Sequence, residues 1–316
     1  MSSAMLIGLC AAGVPAKVIA ATEHWNDASA SATQWNQWKN NWNTYSSNYE
    51  HVSLTPGADQ TQLNLAWYSH TTDTPAVRIA TKQNMDGAKE FVGTQTEAVT
   101  IDGVKYFSNK ATVKGLKENT KYYYQVFKNG KWQDAETYTT KSFDSFSFLY
   151  VGDPQIGASK NQTSTEQEKM VSAGNEVSSA AKDNLAARND GYNWNNILND
   201  AVKDHEDVSF IVAAGDQVNA GKNEREYAAY LGADALASLP VATTIGNHDS
   251  VSNQYTLHFN NPNAFSDTDA NYIQGKTEAG TDYYYRYGNT LFMVLDTNNY
   301  NCATHENVMK KAISEN

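Results

Sequence analysis

Apolar and polar positions follow three regimes along the chain. Between residues 51 and 141 they alternate in short runs, QLNLAWYS, AVRIATK, KEFVGTQTEAV, KATVKGL and KYYYQVF, separated by the turn signals TPG, DGV and KENT. A period of two bounded by turn residues predicts strands with one buried face, here a β-sandwich. From residue 144 the pattern changes. SFSFLYVGD, VSFIVAAGD and LPVATTIGNHD are apolar runs that each end in Gly and a polar residue, with helical stretches between them. In one of these, GYNWNNILNDAVKDH, the residues Trp194, Ile197, Leu198, Ala201 and Val202 make one apolar face. Alternating strand and helix predict an α/β domain with the helices as crossovers. Ahead of both, within 23–50, Trp35, Trp38 and Trp42 recur at i, i+3, i+7, which predicts a short helix docked by its tryptophans. A sharper reading makes the same stripe a carbohydrate-binding platform.

Length and composition sharpen this division. At 316 residues two domains are the natural expectation: a sandwich at 51–141 and an α/β domain at 144–316, behind a Trp-rich segment at 23–50. Residues 1–22 hold an apolar run from Ala4 to Val14 and then Ala20 and Ala21. That is the order of a secretory leader, without the usual basic start. The run is too short to span a bilayer, so no integral membrane segment is expected in the mature chain. Cys10 and Cys302 are the two cysteines, so loss of the leader leaves no pair for a disulfide, and Cys302 reads as a small buried hydrophobe. Lys plus Arg number 24 against 35 Asp plus Glu, for a net charge of -11. With no basic stretch to neutralise a phosphate backbone, nucleic acid is excluded as a standing partner. Only 19% of residues are charged while Asn, Thr, Ser, Gln and Tyr are plentiful, which fits a secreted or extracellular protein.

The candidate chemistry lies at the ends of the three apolar runs, where α/β sheets bind ligands. They deliver Asp153 and Gln155 in VGDPQIG, Asp216 in AAGDQVNAG, and Asn247 and His248 in IGNHD. Carboxylate and amide oxygens are hard donors suited to divalent or trivalent cations, and a carboxylate can bridge two of them. Either Asp alone would also serve as a helix cap. Asn-His at a buried strand end has no such explanation.

GD, GD and GNHD in this order resemble the calcineurin-like metallophosphoesterases, and the preceding sandwich makes the likeness closest to the purple acid phosphatases. KGLKENTKYYYQVF resembles part of a fibronectin type III module, with Tyr122, Tyr123 and Tyr124 where that fold places its corner tyrosine and core contacts. The resemblance implies an all-β sandwich followed by an α/β metallophosphoesterase fold, here an incomplete β-sandwich flanked by helices. It also implies two metal ions, Fe, Mn or Zn: Asp153 on the first, Asp216 on both and Asn247 on the second. Gln155 stands where many members place a His ligand and is assigned to the first metal. His248 would be the catalytic residue, hydrogen-bonding the phosphoryl group or protonating the leaving oxygen, with Asp249 orienting its ring. A metal-bound hydroxide would attack a small phosphorylated substrate, in the first place a monoester.

The sequence also departs from that pattern. GDPQ replaces GD-x-G, and GDQVN replaces GD-x-x-Tyr, so Asn219 cannot give the tyrosinate colour. DYYYRYGNTLFMVLDTNN matches the hairpin expected after GNHD, but the later strand ending in His and the GHxH motif are not in the chain. The expectation is a C-terminally truncated phosphoesterase domain that is inactive in this form. Of the remaining histidines, His258 reads as structural and His305 as a capping or surface residue. Tyr255, Asn260 and Asn261 follow GNHD and are expected to line the pocket. A second function competes: a non-catalytic extracellular binding protein with a vestigial metal site, whose sandwich and Trp-rich segment recognise a cell-surface or carbohydrate ligand.

Overall fold

A computed structural model of the chain describes residues 33–161, 178–265, 280–299 and 302–316. The leader-like 1–22 and the side chain of Cys302 lie outside the described residues. Helix α1 (Thr33–Ser46) comes first, followed by β1 (Ser53–Pro56), β2 (Gln62–Ser69), β3 (Ala76–Ala80), β4 (Lys89–Val92), β5 (Thr94–Ile101), β6 (Val104–Lys114), β7 (Lys121–Lys128), β8 (Lys131–Trp132) and β9 (Glu136–Thr139). These strands pair antiparallel in two sheets, β1-β2-β6-β5 and β4-β3-β7-β8 with β9 also on β7. Alternation sets which side chains meet between the sheets: Tyr122, Tyr124 and Val126 of β7, with Val77 and Ile79 beside them on β3, cluster with Leu65, Trp67 and Val113 of the other sheet. The hydroxyl of Tyr122 accepts from Lys117 N at 2.8 Å and pins the turn before its own strand.

β2 departs from the expected alternation, being buried along nearly its whole length. Its outer face is covered by the second domain rather than by water. Asn64 Nδ2 donates to Asn260 O (2.7 Å), and Asn260 Nδ2 donates back to Leu65 O (3.3 Å) and Ala111 O (3.1 Å).

The second domain is built on the parallel sheet β10 (Ser147–Val151), β11 (Val208–Ala213), β12 (Val241–Thr243), in that order, with α2 (Ser179–Asp204) and α3 (Glu224–Leu231) in the crossovers. α4 (Gln254–His258), the antiparallel hairpin β13 (Tyr283–Tyr287) and β14 (Thr290–Val294), and α5 (Cys302–Glu315) complete it. One face of the sheet, with Leu149, Val151, Ile211 and Ala213, packs under α1, α2 and α3; the other packs Phe210, Val212 and Phe146 against Tyr285, Tyr287 and Phe292 of the hairpin. Trp194 and Leu198 of α2 are buried as their spacing predicts, but Ile197, expected beside them, is 55% exposed at the edge of that face.

The three tryptophans of α1 are buried in this second domain. Trp38 Nε1 donates to Arg188 O (2.8 Å), Trp42 Nε1 donates to Asn184 Oδ1 (2.9 Å), and Trp35 lies against Tyr192. The stripe is packing and presents no exposed ring.

Candidate functional site

The three strand ends converge because the segments leaving them are laced together. Beyond β10, Asp153 N donates to Gly215 O (3.2 Å), Gln155 N to Asp216 O (2.8 Å) and Ile156 N to Gln217 O (3.2 Å), while Asn219 N returns to Ile156 O (2.9 Å). Beyond β12, His248 N donates to Asp216 Oδ1 (2.9 Å) and Gly221 N to His248 O (3.2 Å). Gly246 makes the first of these possible: a Cβ at that position would lie 2.0 Å from Asp216 Oδ1.

Three residues of this group hold left-handed backbone: Asp153 (φ 49°), Gln155 (φ 38°) and Asp216 (φ 50°). That conformation costs an L-residue about 1–2 kcal/mol. The other non-glycine cases among the described residues, Met85, Asp102, Asn119, Asn129 and Asn263, lie in or beside turns. Strain gathered at adjoining strand ends, and held there by the surrounding hydrogen bonds, marks a pre-organised site.

The electrostatics point the same way. Asp216 is buried and Asp153 is open to solvent. Partial burial, and next the charge of Asp216, push Asp153 above the usual carboxylate range. Two neighbouring acids form a trap for positive charge. His248 is half-buried, with Nδ1 at 2.6 Å from Asn219 O. A carbonyl can only accept, so Nδ1 carries the hydrogen. Gln155 Nε2 is 2.9 Å from His248 Nε2 and 3.4 Å from Asn219 Oδ1, so the amide donates and His248 Nε2 presents its lone pair. Asn247, next in the chain, stands at the exposed rim.

Four of the five residues singled out in the sequence thus form one hydrogen-bonded group, with Asn247 beside it. Other expectations need correcting. Asp249 does not orient the imidazole: its buried carboxylate accepts from Gly246 N (2.9 Å), Gln217 N (3.2 Å) and Val218 N (3.3 Å), so it ties the second loop to the third. The ring is held by the Asn219 main chain instead, a contact that no side-chain pattern could announce. Tyr255 and Asn261 do not line the pocket, since Tyr255 is buried with its hydroxyl donating to Thr243 O (2.8 Å) and Asn261 Nδ2 donates to that hydroxyl (3.2 Å). Asn260 clasps the sandwich. His258 is structural, as expected. His305 is neither cap nor surface residue: its Nδ1 meets the buried Asp282 Oδ2 at 2.6 Å.

Residues 146–315, more than half of the chain, match the calcineurin-like phosphoesterase family model. The chain belongs to that family. Members of the calcineurin-like phosphoesterases hydrolyse phosphoesters with dinuclear metal centres. Residues 49–140 match the purple acid phosphatase N-terminal domain. Among solved structures, the purple acid phosphatase PPD1 from yellow lupin (Lupinus luteus) seeds is similar at TM-score 0.54 and 14% identity, covering 84% of this chain and 48% of that one. PhoD is similar at TM-score 0.42 and 12% identity, over 79% of this chain and 52% of that one. These likenesses concern fold, and the chain spans about half the length of both structures. No curated protein matches the chain.

The described residues fit the family's metals in part. Asp153, Asp216 and the Gln155 and Asn247 side-chain oxygens are hard donors on rigid strand ends. Among the described residues, no group of three or more His, Cys, Asp or Glu is arranged to hold an ion. No described helix is long and apolar enough to cross a membrane.

Proposed function

We propose that this chain carries the strand-end half of a metal-dependent hydrolase of phosphate esters, monoesters in the first place, in a secreted protein. The observation that carries the reading is the lacing of Asp153, Gln155, Asp216 and His248 at the mouth of one sheet by backbone hydrogen bonds, three of them with left-handed backbone. Secretion rests on the leader-like order of residues 1–22 and the sparsely charged composition.

Asp153 and the Gln155 carbonyl oxygen would hold one cation, Asn247 a second, with Asp216 between them. When bound, such a pair supplies positive charge to the phosphoryl oxygens and Lewis acidity toward them. All four donors are oxygens, which favours Mn over Zn. His248 stays off the cations. Its Nδ1–H is committed to Asn219 O, so Nε2, once protonated, is the nitrogen that donates to the phosphoryl group or delivers a proton to the leaving oxygen. With two carboxylates and no imidazole among these donors, affinity for metal is low and hydrolysis by this chain is slow. The sandwich is read as fibronectin type III-like from its two sheets and the Tyr122 corner.

The test is Mn and Zn binding by calorimetry alongside p-nitrophenyl phosphate hydrolysis, for the wild type and Asp216→Asn. Weak metal binding that is lost in the variant is expected, with little or no turnover by this chain. Folded wild-type protein that binds neither metal at millimolar concentration would overturn the proposal. The competing binding-protein reading loses its main support, because Trp35, Trp38 and Trp42 are at most 7% exposed.

A further inference from the structure

Glu226 is 2% exposed on α3 and takes no part in the chemistry above. Its position invites a simple explanation. Asn223 is the N-cap of α3, Glu226 stands three residues later, and in a capping box such a Glu reaches back to the N-cap backbone N–H. Glu226 does something else. Oε1 accepts from the Asn223 side chain (Nδ2, 2.8 Å), while the Asn223 backbone N–H goes to Ala220 O (2.7 Å). Oε2 reaches past the cap to Ala220 N, at 2.7 Å.

That N–H belongs to the same peptide unit as the Asn219 carbonyl that holds His248 Nδ1 at 2.6 Å. One rigid amide therefore has a buried carboxylate at its N–H end and an imidazole N–H at its oxygen end. We propose that Glu226 is a positioning residue for His248, acting through the Asn219–Ala220 peptide. A carboxylate on the N–H polarises the amide, strengthens its oxygen as an acceptor, and so holds His248 with Nδ1 protonated and Nε2 toward the pocket. A neutral acceptor would cap the helix as well at lower burial cost, so the charge calls for a second role. The first loop is shaped around the same carboxylate: Gly157 (φ 105°) has no room for a Cβ, which would lie 2.5 Å from Glu226 Oε1.

The inference rests on the hydrolase reading for its use but not for its test. In protein selectively ¹⁵N-labelled at histidine, at about pH 8 and without metal, NMR should show His248 as the Nδ1–H tautomer with a downfield Nδ1 proton. Hydrogen exchange should show Ala220 N–H protected. Glu226→Gln should move the Nδ1 proton upfield and admit the Nε2–H tautomer. Asp190→Asn should leave His248 unchanged, because Asp190 holds Gly157 N (2.8 Å) and Ser159 N (3.2 Å) rather than the Ala220 amide. If the enzyme turns over, Glu226→Gln should lower kcat on the order of tenfold with KM little changed. An Nε2–H tautomer or a freely exchanging Ala220 amide in the wild type overturns the proposal without any variant. So does an unchanged His248 in folded Glu226→Gln, or an equal change in Asp190→Asn. Absence of Mn and Zn binding with the expected NMR pattern would sink the hydrolase reading and leave the positioning role standing.

Discussion

His248 and His258 lie ten residues apart on one connection, and their surroundings make them opposites. His248 is half-buried at the strand ends, its two nitrogens held by a main-chain carbonyl and a side-chain amide, among residues with strained backbone. His258 is buried where the domains meet, 2.7 Å from Glu224 Oε2 and stacked between the rings of Tyr68 and Tyr227. Around it the junction is held by satisfied polar contacts: Ser108 Oγ donates to Leu257 O (2.6 Å), Lys110 Nζ to Thr256 O (2.6 Å) and Thr55 Oγ1 to Asn260 O (2.8 Å). The pocket gathers like charge and strain that a cation would relieve; the junction gives its buried carboxylate, Glu224, the partners His258 and Tyr68. Residue type alone does not separate a reactive histidine from a structural one. What the ring nitrogens face does.

The contrast is broken most severely at the junction. Replacing His258 with Ala leaves buried Glu224 with only the Tyr68 hydroxyl as a partner and removes a ring stacked between Tyr68 and Tyr227, with an expected loss of about 3–5 kcal/mol in urea unfolding and unaltered intrinsic metal affinity. A loss under ~1 kcal/mol would show that the pair is not the anchor described here. Asp216→Asn is the mirror experiment. It should weaken metal binding on the order of 100-fold (~2.7 kcal/mol) while stability stays within ~1 kcal/mol, since the substitution removes a like-charge repulsion.

A subtler test uses pH. Burial raises Glu226 to about 7 and Asp190 to about 6, so the folded protein takes up these protons more readily than the unfolded chain. Their contribution therefore favours folding as pH falls, and buried charge costs stability as pH rises through those values. For Glu226 the linkage between pH 7.5 and 5.5 amounts to about 2 kcal/mol. The stability difference between wild type and Glu226→Gln should shift by that amount toward the wild type on acidification, and a pH-independent difference would contradict the raised value. Smallest, Tyr122→Phe should cost the sandwich about 1 kcal/mol by leaving Lys117 N without its acceptor.

Much of this architecture was legible in local pattern. The GD, GD and GNHD endings stand out because β11 and β12, buried on both faces, read as apolar runs, as does β10 although Phe148 and Tyr150 lie exposed on it, and the residues just beyond each strand must turn sharply. The spacing of Trp35, Trp38 and Trp42 implied a docked helix, and Tyr122 its corner. Interactions between distant segments were not legible. Asn260 looks like a loop residue until β2 and β6 are placed beneath it. His305 looks like part of an exposed helix until Asp282, 23 residues earlier, is buried beside it. Asp249 and Glu226 act on backbone amides, and the partner of such a carboxylate cannot be read from composition or period.

The burial of α1 has an optical consequence. Trp35, Trp38, Trp42 and Trp194, four of the chain's seven tryptophans, belong to a single buried cluster under the phosphoesterase sheet. Intrinsic emission is therefore dominated by one joint. A red shift on heating would report chiefly the first helix lifting from α2, with the sandwich contributing through Trp67 in its core.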